Sequence, residues 1–516
     1  MQRTLLTAGV AIAALALSGC DLAPDYHRPS SAVPTSLPSG GPYPAQPETT
    51  AVPDIAWQDF FLDEGLRRAI DTALANNRDL RIALANIEQA RAQYRVQRAD
   101  RLPTLNASGS VSIQRNPFGV AGAGGVPGGG GTTPGGGTGG GGTVPGGGVG
   151  GGGPNTGVGG GGAVATSGDS TFEIYSVNAG FSAFEIDLFG RVRNLTRAAL
   201  EQYLATEEGA RATRITLIAE TASAWLTMAA DQDRLRIARD TLGSFRESLN
   251  LTQAQFKAGV ASELEVRQAQ TSYDQARYDI AALTAQIAQD QNALNLLAGT
   301  TLPADALPTA LGDRAVTLTD LPAGIRSDVL LRRPDVLQAE HQLIAQYANI
   351  GAARAAFFPR ISLTASAGTL STELSNLFGS GTGVWSVVPS ATLPIFDFGR
   401  NAANLRYAKA SRDAALGTYE RAVQTAFREV ADALAQRGTI DEQVAARVSR
   451  VGAADTAYRL SDARYRAGVD PFLTTLDSQR TLYGAQLELV DTRVIAASNL
   501  ITLYRALGGG LSTRQP

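Results

Sequence analysis

The feature that most restricts how this chain can fold is that it repeats itself in register. "EIDLFGRVRN" (185–194) and "PIFDFGRNAA" (394–403) align when Gly190-Arg191 is set on Gly399-Arg400, an offset of 209 residues. The offset then holds without a gap. It places Glu220 on Glu429, Ala222 on Ala431, Phe256 on Tyr465, Gly259-Val260 on Gly468-Val469, Leu264 on Leu473 and Gly299 on Gly508. One register kept over so long a stretch marks a duplicated structural unit, and such units bury their apolar surface against one another. Upstream, Pro103 in "RADRLPTLNASGS" matches Pro359 in "RAAFFPRISLTASAG" at an offset of 256, so the first copy holds 47 extra residues before Gly190. Those residues are mostly glycine. They can bury no side chains, and loop tips accept insertions at small entropic cost. Residues 119–168 therefore read as a loop inserted into one of two equivalent positions.

Around that loop the period is two. Leu105, Ala107, Gly109, Val111 and Ile113 alternate with Asn106, Ser108, Ser110, Ser112 and Gln114; Ile361, Leu363, Ala365 and Ala367 alternate with Ser362, Thr364 and Ser366. This predicts two hairpins, 103–115 with 172–185 and 359–371 with 384–396, each strand apolar on one face and polar on the other. The lengths suit the ~9–11 residues of a membrane-spanning strand. Taken alone, the alternation also fits the core of a soluble sandwich. Long flanking helices in an exported chain favour a membrane β-barrel.

Pro103 and Pro359 mark the change from helix to strand. Arg191 to Lys257 contains no proline, and its 67 residues would form a helix of about 100 Å. "KAGVAS" (257–262) turns it into a return helix over 263–298, and "RAGVDP" (466–471) turns the second copy's 400–466 into 472–506. Shorter helical stretches, 63–101 and 328–357, complete repeat units 63–299 and 328–508. A linker over 300–327 forms an irregular belt, and 509–516 is a tail. The fold class is mainly α with a membrane β-barrel and an internal twofold repeat. Four strands cannot close around a lumen, and open sheet edges are not tolerated in lipid, so the strands must close with further copies of the same chain.

The N-terminus is an export signal. Arg3 precedes the apolar Leu5–Leu17, too short for a spanning helix, and "LSGC" (17–20) places small residues before Cys20. This resembles a bacterial lipobox, which makes 1–19 a signal peptide, Cys20 the acylated first residue and 20–62 a Pro/Ser-rich tether. With this one cysteine and two histidines, His27 and His341, a zinc site, a disulfide framework and a Cys–His dyad are excluded. A net charge of −3 without a Lys/Arg block gives no reason to expect nucleic acid.

Several stretches closely resemble the outer-membrane factor family, the TolC/OprM-type exit ducts, in its NodT-like lipoprotein branch. They are "CDLAPDYHRP" (20–29), "RDLRIALANIEQARAQY" (78–94), "FEIDLFGRVRN" (184–194), the long run 324–368, and "YRAGVDPFLTTLDSQRTLY" (465–483). The resemblance implies a homotrimer with a twelve-stranded barrel in the outer membrane of a Gram-negative bacterium. A periplasmic helical barrel with an equatorial belt would continue it. It also implies two partners, a periplasmic adaptor protein and an inner-membrane pump of the resistance-nodulation-division type, and an exported cargo of drugs or other small molecules. No cofactor is implied beyond the lipid on Cys20, and residues 119–168 become an extracellular loop. By position, Leu473 and Asp477 match residues that ring the pore at its periplasmic end, and Arg466 matches a partner that holds the closed arrangement. Gly259, Val260, Gly468 and Val469 lie at the helix-turn tips that would meet the adaptor. In the first repeat Leu264 and Gln268 stand in place of Leu473 and Asp477, so an acidic ring would come from the second repeat alone.

Two other readings compete with the duct. A lipid-anchored coiled-coil stalk or adhesin would need no lipid-facing strands. An envelope enzyme would need a nucleophile elbow, a metal-ligand pair or an isolated carboxylate dyad, and the sequence shows none of these.

Overall fold

The computed structural model describes residues 21–30, 32–43, 55–116, 170–311, 316–318 and 327–509. The signal peptide, Cys20, the glycine-rich loop 119–168 and residues 510–516 of the tail lie outside them. The chain forms two compact units. Strands dominate one, Pro103–Ile186 with Ile361–Ser390; helices make the other, Met1–Leu102 with Asp187–Arg360 and Ala391–Pro516.

In the helical unit the order is α1 (Glu64–Asn76), α2 (Arg78–Ala99), α3 (Arg191–Lys257), α4 (Glu263–Ala298), α5 (Pro334–Ala355), α6 (Arg400–Arg466) and α7 (Phe472–Ala506). The two proline-free runs are single helices of 67 residues each. Both begin at a glycine with positive φ, Gly190 (+74°) and Gly399 (+82°). Glycine has no side chain to cap a helix, so a nearby aspartate does it. Asp187 accepts from the Arg193 N–H at 2.7 Å, and Asp397 accepts from Gly399 and Asn401, each at 2.9 Å.

The helix expected over 63–101 is broken in two at Asn77. Its side chain caps α2 at the Leu80 N–H (2.9 Å) and donates to the Leu297 carbonyl (2.9 Å). Gly299, at the end of α4, lies so close that a Cβ there would stand 2.4 Å from the Asn76 carbonyl. The break is thus pinned by a residue more than two hundred positions away. In the second copy the expected helix over 328–357 begins later, at Pro334, after a 3-10 turn over Ser327–Arg332.

Beside that break lies the irregular belt. Phe61 bridges to Thr317, and Leu62 and Leu318 exchange backbone bonds with Val316 and Phe60 at 2.8 and 3.0 Å. The core beneath contains Phe60 stacked on Tyr504 at 4.3 Å, with Trp225 donating to the Ala306 carbonyl at 3.0 Å. A second core joins α5, α6 and α7 through Leu343, Val430, Leu434 and Leu503. Buried Arg333 ties the same three helices together, donating to the Ala506 carbonyl, Asp335 and Glu429 at 2.7–2.8 Å. Contacts run α2–α3–α5–α6 in one stretch and α4–α3–α7–α6 in the other, which leaves α2, α4 and α6 as free edges.

The strand unit is one antiparallel sheet in the order β1 (Asn106–Asn116), β2 (Ser170–Ile186), β3 (Arg360–Ser371), β4 (Gly383–Thr392). β4 stops short of the expected 396 and β1 starts after 103. Pro394 and Pro103 lack the N–H that a ladder requires. A bulge between Phe181 and Phe184 shifts the β2–β3 register. On one face hydroxyls meet across strands: Ser110 with Ser176, Ser362 with Ser390 and Ser366 with Ser386, at 2.7–3.0 Å. The other face carries Ala107, Val111, Val177, Ala367 and Leu363. Among the described residues β1 and β4 are the unpaired edges of the sheet.

The helix-turn tips and the candidate gate

Both turns share one backbone solution. Gly259 (φ +77°) and Gly468 (φ +73°) close α3 and α6 in the left-handed region. Gly259 and Val260 donate to Phe256 and Gln255, and Gly468 and Val469 to Tyr465 and Arg464, all at 2.9 Å. This paired 6→1 and 5→2 pattern satisfies the last carbonyls of a helix. It leaves the tip valines open, Val260 76% and Val469 61% exposed.

The side chains that lock each turn differ. In the first, the Ser262 hydroxyl accepts from Glu265 N–H (3.3 Å) and the Glu265 carboxylate accepts from Ser262 N–H (3.4 Å), a capping box confined to α4. In the second, Pro471 occupies the cap and makes no such bond. Instead Arg464 spans the turn with a two-pronged grip on Asp470, at 2.6 and 2.9 Å. That grip holds the Asp470 carboxyl below the usual carboxylate range.

Just inside the turns four helices meet. Leu249 of α3, Ala269 of α4, and Phe472 and Leu476 of α7 form one buried cluster, with Tyr465 tilted on Phe472 at 5.4 Å. On α7 the buried positions 472, 475, 476 and 479 follow helical spacing. Leu473 and Asp477 occupy the next stripe, four apart and both exposed. Leu473 is 56% exposed, and among the described residues no hydrogen bond or ion pair reaches Asp477. At the first-repeat equivalents Leu264 is exposed and Gln268 half-buried.

Arg466 is placed elsewhere. Its Nε donates to Asp462 at 2.8 Å on its own helix. Both line a cleft of about 320 Å³ against Glu247, Asn250 and Leu251 of α3. Within one chain it faces the first hairpin, and Asp462 is its partner.

A set of cross-links between the hairpins was not legible in the sequence. Tyr465 donates to Gln255, Arg480 Nε to Ser272 Oγ at 2.8 Å, and Tyr483 OH to Asp279 Oδ2 at 2.8 Å. In these three the second hairpin supplies the donor; two others run the opposite way, from Ser248 of α3 to Gln479 at 3.3 Å and from Arg234 of α3 to Asp491 of α7. Burial and the Asp279 carboxylate push the Tyr483 hydroxyl far above its ordinary range, so it remains a donor. The available signal lay in the repeat itself. Arg480 and Tyr483 fall on Thr271 and Asp274, positions where the two copies differ.

Among the described residues no cluster of His, Cys, Asp and Glu could hold a metal ion, and no helix is long and apolar enough to cross a membrane. The sheet, with one hydroxyl face, one apolar face and two open edges, is the part suited to lipid once closed by copies. A chain that joins such a sheet to 67-residue helices defines a subunit of a membrane duct. The comparisons with known proteins specify which kind. Residues 69–300 and 325–509 match the family of outer membrane efflux proteins. The chain is 43% identical over 512 residues to the probable efflux pump outer membrane protein TtgC of Pseudomonas putida, covering 99% of this chain and 96% of that one. It is 41% identical to the outer membrane protein OprJ of Pseudomonas aeruginosa, covering 99% and 97%. The solved open state of the Neisseria gonorrhoeae MtrE outer membrane channel superposes with a TM-score of 0.78 at 35% identity, covering 96% of this chain and 99% of that one. The chain belongs to the outer membrane efflux protein family, and it is the outer-membrane component of an efflux system.

Proposed function

We propose that three copies of this chain form a passive exit duct for small molecules, closed at its periplasmic end by the second helix turn. The observation that carries the gate is the open stripe on α7. A leucine and a carboxylate stand four residues apart, exposed and with no hydrogen-bond or ion-pair partner among the described residues, beside a stripe that is buried. Brought to a threefold axis, three Leu473 side chains form an apolar constriction and three Asp477 carboxylates a ring that attracts cations. The cross-links from Tyr465, Arg480 and Tyr483 hold the second hairpin against the first in the closed state, and Arg466, paired with Asp462 on its own helix, faces α3 beside them. Opening then requires those bonds to yield.

The exposed tip valines, Val260 and Val469, with Gly259 and Gly468 behind them, supply the apolar ends that the periplasmic adaptor grips. An inner-membrane pump of the resistance-nodulation-division type loads the duct. Cys20 carries the lipid anchor, the glycine-rich insertion faces the exterior, and the protein performs no catalysis and uses no cofactor. Relatives are named for efflux of toluene, solvents and antibiotics, and this supports a cargo of small organic molecules.

Conductance of the purified protein in planar bilayers tests the gate. The wild type should show a low, cation-preferring conductance that rises clearly, and loses its cation preference, in Asp477→Ala. Pore activity untouched by that substitution places the gate elsewhere.

A further inference from the structure

Within the first hairpin two buried carboxyls face each other. Asp231 of α3 and Asp290 of α4 are 4% and 8% exposed, and the Asp290 carboxyl stands at hydrogen-bonding distance from that of Asp231. Gln286 Nε2, one turn back on α4, donates to Asp290 Oδ1 at 2.9 Å. Asp290 Oδ2 is buried, and among the described residues no N–H or hydroxyl donates to it. Two ionised carboxylates share so dry a place only at a large penalty. Arg234, one turn along α3, already binds Asp231, so a proton rather than a metal ion completes the charge balance, and Asp290 is the residue that holds it. Protonated, Asp290 becomes the donor that the pair otherwise lacks and closes a bond from α4 to α3.

The repeat supports this assignment. At the same offset of 209 residues, Asn499 stands on Asp290 and the buried Ile440 on Asp231. Asn499 Nδ2 donates to the Ala433 carbonyl at 2.9 Å, from α7 to α6. The second hairpin thus makes its helix-to-helix bond with an amide, whose N–H donors do not titrate, where the first needs a proton. An amide has nearly the shape of a protonated carboxyl, so both copies place a donor at this position.

Arg234 carries the state of the pair outward. It also binds Asp491 of α7, whose side chain is 54% exposed, and so joins the first hairpin to the second. The charged groups around Asp290 are Asp231 and Arg234 on α3 and, beyond Arg234, Asp491 on α7; α1 meets α4 in apolar clusters around Ile70, Ala73, Leu294 and Leu297. With Asp290 neutral, the guanidinium serves one buried carboxylate and has a second arm for Asp491. With Asp290 ionised it faces two buried carboxylates, and their attraction in a medium of low dielectric outweighs that of a half-solvated one. Burial first, and then the facing Asp231 carboxylate, push the Asp290 carboxyl above its ordinary range, with the Gln286 amide opposing them. The folded chain therefore keeps a proton that the unfolded chain releases. Its contribution is complete at low pH and is lost as pH rises through the raised value.

We propose that Asp231 and Asp290 hold one proton between them and that this proton sets how firmly α7 is joined to α3. With it in place, α4 is bonded to α3 and Arg234 grips Asp491. When it passes to the solvent, Arg234 turns to the pair and the second hairpin loses that tie to the first. The tie involves neither helix turn and not Asp477, so it stands apart from the position of the gate.

The test compares full-length wild type, Asp290→Asn and Asp491→Asn in lipid nanodiscs between about pH 4 and pH 9. Infrared difference spectra read the protonated carboxyl. Amide exchange over residues 487–495, corrected for the intrinsic effect of pH on exchange, reads the tie. Wild type should keep one carboxylic-acid band above the range in which exposed carboxyls titrate. As that band fades with rising pH, protection of α7 should fall about three- to fivefold. Asp290→Asn should lack the band and keep full protection of α7 at every pH. Asp491→Asn should retain the band and show the low protection throughout. Asp231→Asn leaves one carboxyl and no need to share a proton, so it too should lose the band and the pH dependence, which keeps the test decisive should Asp290→Asn not fold. A band that survives in Asp290→Asn, or protection of α7 that still falls with pH in that variant, overturns the proposal.

Discussion

The two helix turns share a backbone and differ in how they are locked. The first is closed by a capping box inside α4, so nothing in its lock depends on another element. The second is closed by an ion pair across the turn, Arg464 to Asp470, and its helices reach out to the first hairpin through Tyr465, Arg480 and Tyr483. The first turn is therefore locked within one helix, and the second by an ion pair across the turn. In the proposed gate the first arm is the frame and the second the movable part. The exposed carboxylate follows that division, Asp477 standing where the first repeat has Gln268.

The comparison makes ordered predictions. The largest effect should come from releasing the second arm. Arg480→Ala with Tyr483→Phe removes two cross-links, each worth about 1 kcal/mol, and should raise the open population and bilayer conductance about tenfold or more. An unchanged conductance would mean that these bonds do not hold the closed state. A smaller effect is expected in the frame. Ser262→Ala loses the capping box and should lower thermal stability by about 1 kcal/mol while leaving conductance alone. A rise in conductance there would break the division between the arms.

The smallest effect is on pH. The Asp470 carboxyl is held low by Arg464, so its contribution is complete above the unfolded carboxylate pKa and is lost as pH falls through the depressed folded value. Protease nicking at the second turn should therefore increase only below about pH 4, with the first turn less affected. Equal loosening of both turns would remove Asp470 from the account.

Much of this architecture was legible in the chain. An in-register repeat and proline-free runs are local signals, and they located α3, α4, α6 and α7 because long helices suppress proline throughout. Alternation located the strands, and two prolines set where they begin and end. The break at Asn77 was hidden because asparagine inside a periodic helical pattern looks like any other solvent-facing residue. What breaks the helix is Leu297 and Gly299, brought alongside by the fold. The course of residues 23–28 along α5, where Tyr26 meets Tyr347 and Arg28 binds Glu340, was hidden for the same reason, since Pro- and Ser-rich composition describes an extended chain and not what it lies on. At the gate, helical spacing sufficed to put Leu473 and Asp477 on one stripe. The cross-links that restrain that stripe pair residues about 200 positions apart, and no local pattern marks them.

The central claim is that the second arm alone converges on the axis of the assembly. Site-directed cross-linking tests it directly, because the chain has no cysteine other than Cys20, which acylation would occupy. Asp477→Cys and Gln268→Cys should each be treated with a short thiol cross-linker in intact outer membranes. The account predicts protomer-to-protomer cross-links from position 477 and none from position 268. Equal cross-linking at both positions, or cross-linking at 268 alone, would contradict it.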